Sequence, residues 1–244
     1  MSPRRHAVRG FAEDQWGLVT RRQLDALGIQ PATNARLLAD GSMERATHGV
    51  YRMRGAGEPD HLALRAAWLA LDPEVPAWRR LDDADVALVS HTSAADLYGV
   101  GDLRADVHEF TLATRRQTRR PDVRFHRADV PIEHRTVLRG LPVTCAGWMI
   151  GDLLADHVDP EGVARITAEV VDGELDSPSV IAEQIAPFAA RFGLSRGDGP
   201  SLLDELLGMA GQMCSCHVEL VAVSTAKTPS SVRGRTARLP VCTR

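Results

Sequence analysis

The sequence predicts an α+β protein: an N-terminal winged helix-turn-helix, then a mixed α/β centre, then a helical C-terminal part. Three observations predict it. Residues 11–54 read in the order helix, turn, helix, hairpin; short apolar segments then alternate with helical ones to about residue 154; and beyond that, three segments carry apolar residues at spacings of three and four. A chain of 244 residues exceeds what the first unit needs, and it divides as 1–56, 57–210 and a tail of different character at 211–244.

Each element has a local reason. Thr20 with Gln23 three residues on is a capping-box pattern, opening a helix with Leu24 and Leu27 inward. Gly28 stops it, Ile29 packs under the turn, and Pro31 suits the first turn of a second helix at 31–40. On that helix Ala32, Ala35, Leu38 and Ala39 are expected to face inward, with Thr33, Asn34, Arg36 and Asp40 largely outward. Gly41 ends it. Met43 to Ala46 and Val50 to Met53 flank the polar turn Thr47-His48-Gly49, which is the hairpin expected to form the wing.

A break at Gly55, Gly57 and Pro59 precedes a helix over 60–71, ended by Asp72-Pro73, and then a polar loop carrying Trp78. Val86 to Val89 is short and apolar. Thr92 or Ser93 is expected to cap a helix running through Tyr98 to Gly99. Val107 to Ala113 and Val123 to His126 read as the strands of a hairpin around the basic loop Thr114 to Asp122; Arg139-Gly140 turns a second hairpin; and Thr144 is expected to cap a helix over 148–154. Helical segments near 160–171, 178–192 and 200–209 follow, two of them entered at Ser177-Pro178 and Gly199-Pro200. In residues 211–244 Cys, Ser and Thr become frequent and the sole lysine, Lys227, appears. That fits a disordered tail, or translation out of the ancestral frame.

Charge directs the functional reading. Residues 1–56 hold nine arginines against five acids, whereas the remainder is acidic, so the basic footprint is local. A helix-turn-helix presents its second helix to base edges, which nominates Thr33, Asn34 and Arg36; Arg21, Arg22, Arg45, His48, Arg52 and Arg54 then suit phosphate or minor-groove contacts. Double-stranded DNA is the expected partner. The alternative is a protein docking module with solvated arginines. Arg115, Arg116, Arg119 and Arg120 form a second basic cluster, read either as a contact to nucleic acid or an acidic partner, or as a solvated hairpin tip. No aromatic residue interleaves with them, so no stacking platform for single strands is present.

Chemistry finds little purchase. The sequence has no G-x-S-x-G elbow, phosphate-cradling glycine loop or H-E-x-x-H. Asp82, Asp83 and Asp85 read as a solvated loop face, and nothing in the sequence pairs His91, His108, His126 or His134 with a nucleophile. Cys214-Ser-Cys216-His217 lacks zinc-knuckle spacing. No catalytic residue, metal ligand or cofactor is therefore expected. Four cysteines give no disulfide framework, and no signal peptide or membrane-length apolar run is legible, so a cytoplasmic protein is expected.

The run G-L-V-T, a helix ending L-G-I, a second ending D-G, and the closing His48 to Arg52 resemble the N-terminal domain of AbiEi-type antitoxins of type IV toxin-antitoxin systems. Ser90 to Ala95 with Leu97 and Gly99, then Gly140 to Thr144 and Asp152 to Leu154, are similar to the domain that follows it in many members. Trp148 and Met149 depart from the Arg-Thr pair those proteins often carry ahead of the Asp-Leu. The resemblance implies a transcriptional autorepressor at its own promoter, acting without metal or cofactor. It further implies an antitoxin against a nucleotidyltransferase-like toxin encoded nearby. Two other readings stand beside it: a regulator of an unrelated operon whose centre senses a ligand or protein, and a nucleic-acid-processing enzyme delivered by the winged helix.

Overall fold

The computed structural model describes residues 3–211, apart from 56, 82 and 104. The tail, with Cys214, Cys216, His217, Lys227 and Cys242, lies outside the described residues.

The N-terminal unit runs α1 (Pro3–Glu13), β1 (Leu18–Thr20), α2 (Arg21–Ala26), α3 (Pro31–Ala39), β2 (Met43–Thr47) and β3 (Val50–Met53). Its strands form an antiparallel sheet in the order β1-β3-β2. The capping box is present: the Thr20 hydroxyl accepts from the Gln23 backbone N–H at 3.1 Å, and Gln23 Oε1 accepts from the Thr20 N–H at 2.9 Å. Gly28, at φ +74, supplies the left-handed turn between α2 and α3 that a side chain would strain. Val8, Ala12, Val19, Leu24, Ile29, Leu37, Met43, Tyr51 and Met53 close the core beneath. Each large apolar side chain buried there contributes roughly 1.5–3 kcal/mol.

The strand β1 is not foreseen as such, since Leu-Val-Thr is too short to show a period. It matters because both faces of the small sheet are covered. Leu18 and Val50 leave the first core and join a second, larger one, packing with α4 (Leu62–Leu71). Buried polar groups tie the same seam. Gln15 Oε1 accepts from the Ala77 N–H at 2.9 Å, Gln23 Nε2 donates to the Val75 carbonyl at 3.3 Å, and the Thr20 hydroxyl donates to the Pro73 carbonyl. Satisfied buried networks of this kind fix orientation, because breaking one member leaves the others unpaired.

The centre is a mixed five-stranded sheet, β6-β5-β4-β8-β7, made of β4 (Leu88–Val89), β5 (His108–Leu112), β6 (Val123–Arg127), β7 (Arg135–Leu138) and β8 (Leu141–Thr144). The expected hairpin between β5 and β6 is corrected: the two strands pair in parallel, from His108 opposite Val123 to Leu112 opposite Arg127. The basic loop is therefore a crossover returning along the sheet edge, not a hairpin tip. The second hairpin is antiparallel as read, turning at Arg139 and Gly140 with both φ values positive.

Helices complete the layer. The Trp78 loop contains a short helix α5 (Ala77–Arg80), whose Arg80 guanidinium stacks 3.6 Å over the buried Trp68 ring and donates to the Trp68 carbonyl at 2.8 Å. The caps shift by a few residues: Ser90 precedes α6 (His91–Tyr98), and Cys145 precedes α7 (Ala146–Ala155). The hydroxyl of Thr92 is instead taken by Glu109 at 2.5 Å. Then come α8 (Pro160–Asp172), α9 (Pro178–Ile185) capped by Ser177, 3₁₀ turns at Ala186–Phe192, and α10 over residues 199–211. Buried Met149, Ile150 and Leu153 of α7 form the middle of this core, which α9 covers.

Candidate nucleic-acid interface

The placement of α3 decides which nominated residues can meet a ligand. Its buried side chains are Asn34 and Leu37, with Thr33 and Leu38 half-buried. Ala32, Ala35 and Ala39, expected inside, are exposed with Arg36 and Asp40. The helix is thus rotated by one residue, about 100°, from the sequence reading. The reason is that alanines are neutral markers, while Leu37 buries far more apolar surface than an alanine could. Asn34 is consequently corrected from an outward reader to an inward residue, 7% exposed, with no hydrogen-bond partner for Oδ1.

The other nominated residues lie on α2, on the wing and just after it. Arg45 and His48 on the wing, Arg54 after it and Arg22 on α2 are exposed. Arg54 lies over Gly41, at the end of α3, where a β-carbon would come within 3.0 Å of the guanidinium. Arg21, Arg22, Arg45 and His48 line one depression with Gly49, Tyr51, Ala70 and Pro73. Arg21 is only partly engaged, pairing with Asp25 at 2.6 Å while its Nη1 has no partner; Arg22 lies 3.8 Å from Glu74. Arg52 is different: it is held by Glu44 at 2.5 Å and Glu58 at 3.4 Å with 16% of its side chain exposed. It is corrected from an outward phosphate contact to the clasp of the wing.

The second basic cluster divides in the same way. Arg116 donates to the Leu71 carbonyl at 2.5 Å, and Arg120 binds Asp122 through two nitrogens while approaching the Thr47 hydroxyl at 3.4 Å. These two tie the crossover loop to its neighbours, Arg116 while exposed and Arg120 half-buried. Arg115 and Arg119 stay exposed on that loop. Basic groups from two distant parts of the chain are thus brought to one neighbourhood, near the end of α4.

A second constellation is invisible in the sequence. His91, at the start of α6, stacks on His126 of β6 with ring centroids 3.4 Å apart and an 18° tilt. Around them stand Glu109, Asp152 and Asp156, from β5 and the end of α7, with Arg124 at the rim. Burial, then the neighbouring His126, pushes the His91 imidazolium down to about 4. Burial, then the Asp156 carboxylate, pushes Asp152 up to about 8. Burial would also raise Glu109, but hydrogen bonds from His126 and Thr92 outweigh it and bring it down to about 2. The 3.5 Å approach of His91 Nδ1 to Asp152 Oδ2 is therefore no ion pair at neutral pH, since both groups are uncharged, and Asp152 Oδ2 makes no hydrogen bond. Only spatial pairing across four elements reveals this set; the sequence shows His91 and His126 without the carboxylates that meet them. The Asp83 carboxylate, of the acidic run, accepts from the Asp85 N–H at 3.0 Å, and Asp82 lies outside the described residues.

Helix, strand, helix, helix and two-stranded wing, with an arginine-bearing outward helix, define the winged helix-turn-helix class. The family described as "Transcriptional regulator, AbiEi antitoxin" matches residues 6–54, which span α1 through the wing. No curated protein matches the chain. Among the described residues no helix is long and apolar enough to cross a membrane.

Proposed function

We propose that the chain is a cytoplasmic DNA-binding regulator that represses its own promoter and serves as the antitoxin of a type IV toxin-antitoxin pair. The observation that carries the DNA reading is the outward face of α3, where Ala32, Ala35 and Ala39 flank Arg36. Small side chains let the helix sit deep in a major groove. Arg36 then offers two donors to guanine, and the alanine methyls meet thymine methyls. Arg22, Arg45, His48 and Arg54 are exposed on α2, on the wing and just after it, and suit phosphates, which position the protein without reading sequence. Bound at a promoter, the protein excludes polymerase.

The antitoxin half rests on the family match at residues 6–54 and on the central motifs around Ser90 and Asp152. Its partner is a nucleotidyltransferase-like toxin encoded alongside.

The test is binding to the chain's own promoter fragment against a scrambled duplex at physiological salt, with wild type and Arg36→Ala. Wild type prefers the promoter, and Arg36→Ala loses ~1–3 kcal/mol of that preference. Equal binding of both duplexes by wild type overturns the reading. For the antitoxin half, co-expression with the neighbouring nucleotidyltransferase-like gene restores growth; persistent arrest removes that half.

A further inference from the structure

We propose that the central unit carries a divalent transition-metal site whose ligands are His91, His126 and Asp156. One candidate ligand atom from each residue lies within 4.8 Å of the others. The three come from separate elements, namely the first residue of α6, the strand β6 and the residue capping the C-terminus of α7. An ion there joins the sheet to two helices.

The hydrogen bonds around the rings prepare them for this. His126 Nε2 donates to Glu109 Oε1 at 3.1 Å, which leaves the lone pair on Nδ1. His91 Nδ1 is held by the Ser90 hydroxyl at 3.0 Å, leaving Nε2. Ser90 is itself fixed by the Thr111 hydroxyl at 2.8 Å, and Glu109 by the Thr92 N–H at 3.0 Å. A carboxylate or hydroxyl behind each imidazole is how metal sites orient ring and tautomer. To meet one ion the two rings fan apart from their 18° tilt.

Donor type selects the cation. Two imidazole nitrogens with one carboxylate suit zinc and its neighbours cobalt and nickel, whereas magnesium and calcium take oxygen sets. Asp156 and Glu109 balance the charge of a divalent ion. Three protein ligands also leave a position open, and it faces a pocket of about 260 Å³ lined by Thr92, Asp106, Val107 and Arg124. Arg124 Nη1, 3.4 Å from Glu109 and 4.0 Å from Asp156, places a cation at the mouth, so a small anion or water suits the open position.

The full-length protein, stripped with chelator, is titrated with Co²⁺ and then Zn²⁺. One equivalent of Co²⁺ gives visible ligand-field absorption without thiolate charge transfer, Zn²⁺ displaces it, and Zn²⁺ raises the thermal midpoint by several degrees. Asp156→Asn, at a partly exposed position, and His126→Asn each weaken binding at least tenfold while the far-ultraviolet dichroism is kept. Absence of stoichiometric binding by wild type overturns the proposal. So does undiminished binding by both variants, or a spectrum dominated by thiolate charge transfer, which places the ion on Cys214 and Cys216.

Discussion

Arg52 and Glu44 face each other across the wing, and two nitrogens of the guanidinium converge on one carboxylate oxygen, Nε at 2.6 Å and Nη2 at 2.5 Å. An arginine so engaged is part of the hairpin's structure. Arg52→Ala is expected to lower stability by about 1 kcal/mol, the scale of a partly exposed pair, read as a shift in urea midpoint. It leaves the salt dependence of DNA binding unchanged. Arg45→Ala, by contrast, reduces the slope of log Kobs against log salt by about one. A matching drop for Arg52→Ala would show that the clasp opens to take a phosphate.

The rotation of α3 is checked at Asn34. Asn34→Ala removes a buried amide whose Oδ1 is unpartnered and improves helix propensity, so stability is held or rises by about 0.5 kcal/mol. Promoter specificity stays within twofold of wild type, whereas Arg36→Ala loses it. Relaxed specificity in Asn34→Ala would place that amide in the groove and return the helix to the sequence's orientation.

Asp152 sets a pH dependence for the chelator-treated protein. It faces His91 of α6, Glu109 of β5, and Trp148 and Asp156 of its own helix region. Its folded pKa of about 8 exceeds the ordinary 3.8, so between those values the native state binds more protons than the unfolded one. Stability from this group is complete below the lower value and is lost as pH rises through the higher. Asp152→Asn mimics the neutral acid and is expected to gain on wild type by at least about 1 kcal/mol between pH 5 and pH 9 in denaturant titrations. Trp148→Arg, a helical turn earlier, supplies a cation that draws the raised carboxyl pKa back down and so flattens the same pH dependence by the opposite route, through ionisation. Parallel wild-type and Asp152→Asn profiles would show Asp152 ionised throughout.

Cys145 is a structural thiol. Burial, then the nearby Asp176 carboxylate, pushes it up to about 12, although it caps a helix N-terminus. In a variant with Cys214, Cys216 and Cys242 replaced by serine, alkylation at pH 8 is expected to run at least ~100-fold slower than for a free cysteine, because the thiolate is the reactive form. Alkylation at the free-cysteine rate would show an accessible thiolate.

Local chemistry made the N-terminal unit and the second central hairpin legible: the Thr20–Gln23 box, the left-handed Gly28 and the Arg139-Gly140 turn are each written in two to four residues. The face of α3 was not, because three alanines and two leucines define a stripe only to within one residue. The parallel partnership of β5 and β6 was also hidden. Alternation within a strand says which face is buried but not which way its neighbour runs. His91, Glu109, His126, Asp152 and Asp156 are spread over 66 positions, and no spacing rule links them. Arg116 looked like a free cation for the same reason, since the Leu71 carbonyl reaches it only through a tertiary contact, whereas the partner of Arg52 depends on strand register and that of Arg120 lies two residues on.

Leu18 and Val50 point out of the small sheet into the core built around α4, and Gln15, Gln23 and Thr20 bond to the chain segment beyond that helix. The wing therefore has a foundation in the neighbouring structure and is not a detachable reading head. A cut at residue 56 would wet two buried aliphatic residues and orphan the amides that hold the recognition helices at their angle. Transplanting the first 56 residues onto another effector would carry over the alphabet without the hand that holds the page.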